Sequence, residues 1–429
     1  MPTLTEDLRF RGVIHQVTDE AVLARLDAGG VTAYVGFDPT ARSLHIGNLL
    51  QLVTLRRLQL AGNRPIVVAG GGTGLIGDPS GKTDERRLLT EAELASNVAA
   101  VREQLGRYLD FTDGAGDAAA VLVDNARWLG PLTLTEFLRD VGKHFTVNQM
   151  IAKESVRSRI ERPDVGISYT EFSYMLLQAY DFYRLHVDLG CELQLGASDQ
   201  WGNITLGIEL VKKLTGDQVY GVTTPLLTKA DGTKLGKSVL TDESVWLDRD
   251  QTSPYALYQY LFNVEDEIVG TLLRTLTFLS HDELVALEGA VAGAPAAREA
   301  QRRLAFEVVA FVHSAADAAA AAAASTALFD ETIAQLDLPT LEAVVADVPS
   351  TTVPRDRLDA GVGVVELLTT TEVCASNGEA RRAIGQGGVY VNNRRVDDAE
   401  SVVGAAELLF DRYVLLRRGK RHTHLVVAG

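Results

Sequence analysis

Between Gly29-Gly30 and Gly70 the chain runs through a β-rich stretch, a helical stretch and a second β-rich stretch. No other feature restricts the fold as much. Val31–Gly36 reads as a strand. Ile46 to Ala61 places apolar residues at 46, 49, 50 and 53, a helical spacing. Gly62-Asn63 stops that helix and Pro65 opens the next strand, Ile66–Ala69. Strand, helix, strand is the unit of a parallel sheet. The expected fold is therefore an open α/β sheet with its ligands at the carboxyl ends of the strands.

Beyond this unit, Leu134 to Gln178 is mostly helical with an interruption near Pro163, and Tyr220 to Leu227 reads as a strand. Thr228 to Ser238 is a polar, Gly-containing loop, and Pro254 to about Asp347 is helix-rich. The Ala315–Ala324 tract has high helix propensity and is expected as a surface helix. Val348–Arg357, with its prolines, serine and threonines, reads as a linker. The remainder reads as two short helices and then strands. At 429 residues two or three domains are expected: a Rossmann-like parallel-sheet domain over 1–247 carrying a helical insertion at about 128–160, a helical domain over 248–347, a linker over 348–361, and a small α+β domain over 362–429.

The composition excludes several classes. No apolar run is long enough for a membrane helix, and Met1–Arg11 has no signal core, so a cytoplasmic protein is expected. Cys191 and Cys374 suit a reducing compartment and read as small buried hydrophobes. The net charge of −16 disfavours non-specific nucleic-acid binding. The charge is uneven, however: Val362–Gly429 holds 9 basic and 8 acidic residues, against 41 and 57 for the whole chain. A phosphate-bearing partner is best sought on this tail.

Two segments suit phosphate chemistry. Phe37-Asp38-Pro39-Thr40-Ala41-Arg42-Ser43-Leu44-His45-Ile46-Gly47-Asn48 joins the first strand to its helix. Ser43 is expected to cap the helix, placing His45 in a first turn rich in free N–H groups, where Gly47 lets a nucleotide approach the backbone. A capping-region histidine is the bland alternative. In Lys229-Ala230-Asp231-Gly232-Thr233-Lys234-Leu235-Gly236-Lys237-Ser238, two lysines three apart can converge on a polyphosphate, although alone the segment would pass for a solvated turn. A third pattern is Tyr174, Gln178 and Asp181, at i, i+4 and i+7 on one helical face. Phe172, Met175 and Leu176 around them favour a buried binding face over a solvated stripe. No Ser-His-Asp order or zinc-ligand spacing competes, and no protein metal site is expected.

The first two segments together resemble the paired signatures of class I aminoacyl-tRNA synthetases, with Asn48, Leu235 and Gly236 as departures. Four further stretches, Tyr34–Thr40, Gly77–Lys82, Tyr169–Asp181 and Gly196–Asn203, resemble the bacterial tyrosyl branch of that family, and the likeness spans nearly the whole chain. The resemblance implies activation of L-tyrosine with ATP, accompanied by Mg2+, and transfer to tRNA(Tyr). It implies that Thr40, His45, Lys82, Arg86, Lys234, Lys237 and Ser238 serve the transition state. It places Gly36, Asp38, His45, Gly47, Asn48, Asp199 and Lys237 around ATP, with Asp199 at the ribose. Asp78, Tyr174 and Gln178 would hold the substrate ammonium, Tyr34 and Asp181 its phenol, and Gln200 would lie beside it. Ala197 stands where the family often has Gly, crowding the ribose with a Cβ. A homodimer built through about Trp128–Ile160 is also implied.

Gly378–Ile384 and Gly387–Asn392 resemble a small RNA-binding fold, with Arg381, Arg382, Arg394, Arg395 and the Arg417–Arg421 cluster expected to face phosphates. The nearest rival is the tryptophanyl branch, against which Tyr34 and Asp181, suited to a phenol, argue. A non-catalytic RNA-binding protein is the rival from another class, and intact His45 and loop lysines argue against it.

Overall fold

The computed structural model describes residues 2–78, 89–161, 166–236, 244–327, 331–345, 348–419 and 422–429. These form two compact units, one of Met1–Thr252 with Val264–Leu304, the other of Ser253–Asn263 with Ala305–Gly429.

The first unit is built on a six-stranded sheet of β1 (Gln16–Val17), β2 (Thr32–Phe37), β3 (Arg64–Ala69), β4 (Val121–Asp124), β5 (Leu193–Ala197) and β6 (Tyr220–Thr224), in the order β1-β6-β5-β2-β3-β4. β2 to β6 are mutually parallel, as the strand–helix–strand pattern predicts, and β1 pairs antiparallel with β6 at the edge. The Leu49–Leu60 helix connects β2 to β3. Its Leu49, Leu52, Val53 and Leu55 are fully buried. The chain moves outward from β2 through β3 to β4, then returns to lay β5 and β6 on the other flank of β2. Strand order reverses between β2 and β5, and a crevice opens at the carboxyl ends there. The Tyr169–Leu189 helix crosses this unit with Ser168 capping its start and Gly190, at φ 67°, ending it in the left-handed region.

The second unit departs from the expected division. Ser350–Val353, within the expected linker, is a strand (β7) paired in parallel with β9 (His422–Ala428). β9 pairs in turn with β8 (Tyr413–Arg418). Val414, Leu416 and Val426 face the core of the tail, together with the Val364–Thr370 and Asn377–Gly385 helices. Tyr413, Leu415 and Leu425 face the other way and share a core with Ala324, Leu341, Val344 and Val345. The helices of this unit that precede residue 346 and the tail sheet thus share one core. The Ala315–Ala327 helix, expected on the surface, buries Ala318, Ala321 and Ala324.

Candidate active site

A cleft of about 290 Å³ lies at the switch point, lined by the carboxyl ends of β2 and β5, the segment before the Leu49–Leu60 helix, and the Tyr169–Leu189 helix. Gly36, Asp38, Thr40, His45, Gly47 and Asn48 line it from one side. Tyr34, Asp78, Tyr174, Gln178, Asp181, Asp199, Gln200 and Lys234 complete it. Lys82, Arg86, Lys237 and Ser238 lie outside the described residues.

His45, not Ser43, is the cap. Its Nδ1 accepts the Gly47 N–H at 3.0 Å, and Asn48 Oδ1 accepts the His45 N–H at 3.0 Å. With Nδ1 accepting, a neutral ring carries its proton on Nε2. Ser43 is buried and engaged elsewhere, donating to Leu44 O and accepting from Gln104 Nε2 and the Asp248 N–H. A Cβ on Gly47 would stand 2.8 Å from the His45 ring, so a larger residue there would push the ring out of its capping position. The second phosphate segment is joined to the first through main chain: Ile46 N–H donates to Val245 O, and Val245 N–H donates to Gly236 O, both at 2.9 Å. Lys234 Nζ reaches Asp199 Oδ2 at 3.0 Å. Ala197, at φ −75° and ψ 166°, has ordinary extended backbone that needs no glycine.

The expected polar face of the Tyr169–Leu189 helix points into the cleft. Tyr174 Oη donates to Asp38 Oδ2 at 2.8 Å, and Asp38 Oδ1 accepts from Thr73 Oγ1 at 2.8 Å. Burial and the adjacent Asp38 carboxylate raise the Tyr174 pKa, so its proton stays. Asp78 Oδ2 accepts from Gln200 Nε2 at 2.6 Å, and Gln178 Oε1 accepts from Asn203 Nδ2 at 2.9 Å.

Deeper in, Asp181 is 4% exposed. Asn125 Nδ2 donates to its Oδ2 at 2.9 Å and Trp128 Nε1 to its Oδ1 at 2.7 Å. Burial pushes the carboxyl up to about 7, and the two donors oppose that rise. Asn125 and Trp128 escape the sequence reading, which places Trp128 in the dimer insertion. The available signal is position, since both lie within four residues of the carboxyl end of β4. Tyr34, 2% exposed, is also driven upward in pKa, by burial and then by Asp181. Three buried polar atoms on this cleft have no partner among the described residues: Tyr34 Oη, Gln51 Oε1 and Gln194 Oε1. Unpaired buried polar atoms are rare in folded proteins, and gathered in one cleft they mark where a polar ligand sits.

Such a site offers acceptors at one end, donors near a helix start and, among the described residues, no nucleophile–base pair. It is suited to holding charge on a ligand that brings its own nucleophile. Residues 27–330 match the family described as tRNA synthetases class I (W and Y). The chain belongs to this family. Class I synthetases of this group include close relatives across the full length. The chain is 49% identical to the tyrosine–tRNA ligase of Roseiflexus castenholzii and 50% identical to that of Opitutus terrae, covering 99% of each partner and of itself. Among solved structures it resembles the C-terminally truncated mitochondrial tyrosyl-tRNA synthetase of Aspergillus nidulans, with a TM-score of 0.67 and 31% identity over 77% of this chain and 95% of that one. Residues 340–426 match the tyrosine–tRNA ligase SYY-like C-terminal domain.

In that C-terminal part of this class I synthetase, Arg382, Gln386, Arg418 and His422 line an open groove of about 630 Å³. Arg394 and Arg395 are exposed on a short strand, Arg395 pairing with Asp397 at 2.8 Å. Arg381 pairs with Glu400 at 2.6 Å. Arg417, expected to face phosphates, is buried. It donates to Asn393 Oδ1 and Gly419 O, both at 3.0 Å, and lies 4.1 Å from the Tyr390 ring centroid. Its role is therefore structural. Lys420 and Arg421 lie outside the described residues.

Proposed function

We propose that this chain is a tyrosine–tRNA ligase, forming tyrosyl-adenylate and pyrophosphate from L-tyrosine and ATP and then esterifying the 3′ end of tRNA(Tyr). The observation that carries this reading is the buried Asp181 carboxylate, oriented by Asn125 and Trp128, beside a Tyr34 hydroxyl with no partner among the described residues. A phenol donates to Asp181 and accepts from Tyr34. Phenylalanine supplies neither contact, leaving Tyr34 Oη without a partner and the desolvated Asp181 carboxylate one donor short. An indole donates through nitrogen but offers Tyr34 no acceptor, which disfavours tryptophan. At the other end, Asp78, Gln178 Oε1 and the Tyr174 oxygen, whose proton is committed to Asp38, are acceptors for an ammonium group.

The substrate carboxylate attacks the α-phosphate of ATP. It is already an anion, so no general base is needed. Rate comes from positioning and from donors facing the charge that builds toward pyrophosphate. His45 Nε2–H, Thr40 and Lys234 supply such donors in the cleft, with Asp199 at the ribose. Lys82, Arg86, Lys237 and Ser238 join them by family resemblance. Mg2+ enters with ATP as part of the substrate. Among the described residues no three His, Cys, Asp or Glu side chains gather as a metal site, and the phosphates would carry the ion.

The enzyme works as a cytoplasmic homodimer. Leu134, Leu138, Val147, Ile151 and Ile160 are exposed along the helical insertion, the apolar surface a partner subunit would cover. tRNA engages the tail through Arg382, Arg394 and Arg395, with Arg381 at the margin. Pyrophosphate exchange measured with each amino acid tests the reading. Exchange with tyrosine alone is expected, and exchange with another amino acid, or with none, contradicts it.

A further inference from the structure

Asn203 has no part in the roles given above. It lies three residues beyond Gln200, in the first turn of the Trp201–Thr215 helix, and faces the same side. It is 2% exposed and stands behind the cleft wall rather than on it. Its Nδ2 donates to Gln178 Oε1 at 2.9 Å and to Gln200 Oε1 at 3.2 Å. Gln178 Nε2 donates to Gln200 Oε1 at 3.3 Å, and Gln200 Nε2 donates to Asp78 Oδ2 at 2.6 Å. The polarity of this set follows from its acidic end. A carboxylate accepts, so Gln200 turns Nε2 to Asp78 and Oε1 inward. That oxygen then needs donors, and Asn203 and Gln178 supply them.

Asn203 gives the two hydrogens of one buried nitrogen to the two glutamines, which leaves its amide a single orientation. Its shorter bond goes to Gln178 Oε1, an oxygen that keeps a second lone pair for a ligand. Without Asn203, the Gln178 amide would be held only by the 3.3 Å bond to Gln200. It would then be free to turn Nε2 into the cleft, where a donor would face the substrate ammonium. We propose that Asn203 is a positioning residue for tyrosine selection: it holds the Gln178 amide oxygen, and with it the Gln200–Asp78 pair, in the orientation that accepts the substrate's ammonium group. This rests on the reading of the cleft as a tyrosine site.

The test is competition against radiolabelled tyrosine in equilibrium dialysis of the full-length protein. Three ligands are compared: L-tyrosine, tyramine, which keeps the ammonium but lacks the carboxylate, and 3-(4-hydroxyphenyl)propionate, which lacks the ammonium. Asn203→Leu fills the same space without a donor. It should weaken tyrosine and tyramine about tenfold, and 3-(4-hydroxyphenyl)propionate by no more than about twofold. Asn203→Ser retains one donor and should fall between the leucine variant and wild type. The ratio between ligands is read on both variants, so the test stands if the leucine variant does not fold. In a Gln178→Met background either substitution should lose most of its effect, because it acts through Gln178. Equal weakening of all three ligands, wild-type binding by Asn203→Leu, or an undiminished effect beside Gln178→Met overturns the proposal while leaving the ligase reading intact. Failure of wild type to bind tyrosine removes both.

Discussion

Replacing Trp128 by Phe removes one of the two donors to Asp181 and keeps an aromatic ring in place. A hydrogen bond to a charged group is worth about 1.5–3 kcal/mol, and each pH unit of titration midpoint corresponds to about 1.4 kcal/mol. The Asp181 midpoint, about 7 in the native protein, should rise by about one to two pH units. At pH 7 the ionised fraction then falls from about a half to about 1–10%, so kcat/KM for tyrosine should drop about 5- to 50-fold. At pH 9 the two proteins should differ by about twofold or less from this cause. Packing loss at a substituted indole is independent of pH, so the convergence is the diagnostic part. The assay is pyrophosphate exchange under limiting tyrosine from pH 6 to 9, with ATP KM as the control. A constant ratio across that range would refute the idea that Trp128 acts by stabilising the carboxylate.

Other expectations follow from the same geometry. Asp181 has a raised native pKa, so its stabilising contribution is complete near pH 4 and declines as pH rises toward about 7; denaturation midpoints of wild type and Asp181→Asn should diverge across that window with a relative slope of up to about 1.4 kcal/mol per pH unit. Lys237→Ala should slow adenylate formation strongly and leave tyrosine binding by equilibrium dialysis nearly unchanged, because its charge is needed as pyrophosphate departs. Arg417→Ala should destabilise the protein by about 1–3 kcal/mol in urea unfolding, since it removes the buried donor to Asn393 Oδ1 and Gly419 O. Arg394→Ala with Arg395→Ala should leave stability unchanged and weaken tRNA binding, with a shallower dependence on salt.

Local chemistry made the catalytic sheet legible. Gly62-Asn63 ends the preceding helix and Pro65 marks the start of β3, and the observed Arg64–Ala69 differs from the expected strand only at its start. The face shared by Tyr174, Gln178 and Asp181 follows from helical geometry and needs no tertiary information. Asn125 and Trp128 depend on such information, because β4 reaches Asp181 only through the assembled sheet. The His45 cap is hidden from the sequence because Ser43 is the better capping residue type, while the structure commits its hydroxyl to Leu44, Gln104 and Asp248. The tail carried an unused signal. Tyr413-Val414-Leu415-Leu416 has no polar alternation, the pattern of a strand buried on both faces. That pattern accounts for the burial of Arg417 and for the shared core that replaces a linker at 348–361. Truncation before β7 would strip Leu341 and Val344 of their partners, so point substitutions test the RNA role more cleanly than deletion.

The pairing of Asp181 with Tyr34 as a reader of the phenol is the centre of the account. It is tested most directly by the ratio of kcat/KM for tyrosine and phenylalanine in pyrophosphate exchange, in wild type and in the Asp181→Ala, Tyr34→Phe and doubly substituted proteins. Each single substitution should shrink the ratio, the double one should shrink it further, and ATP KM should hold steady throughout. A ratio unchanged by Asp181→Ala would contradict the assignment of tyrosine to this pocket.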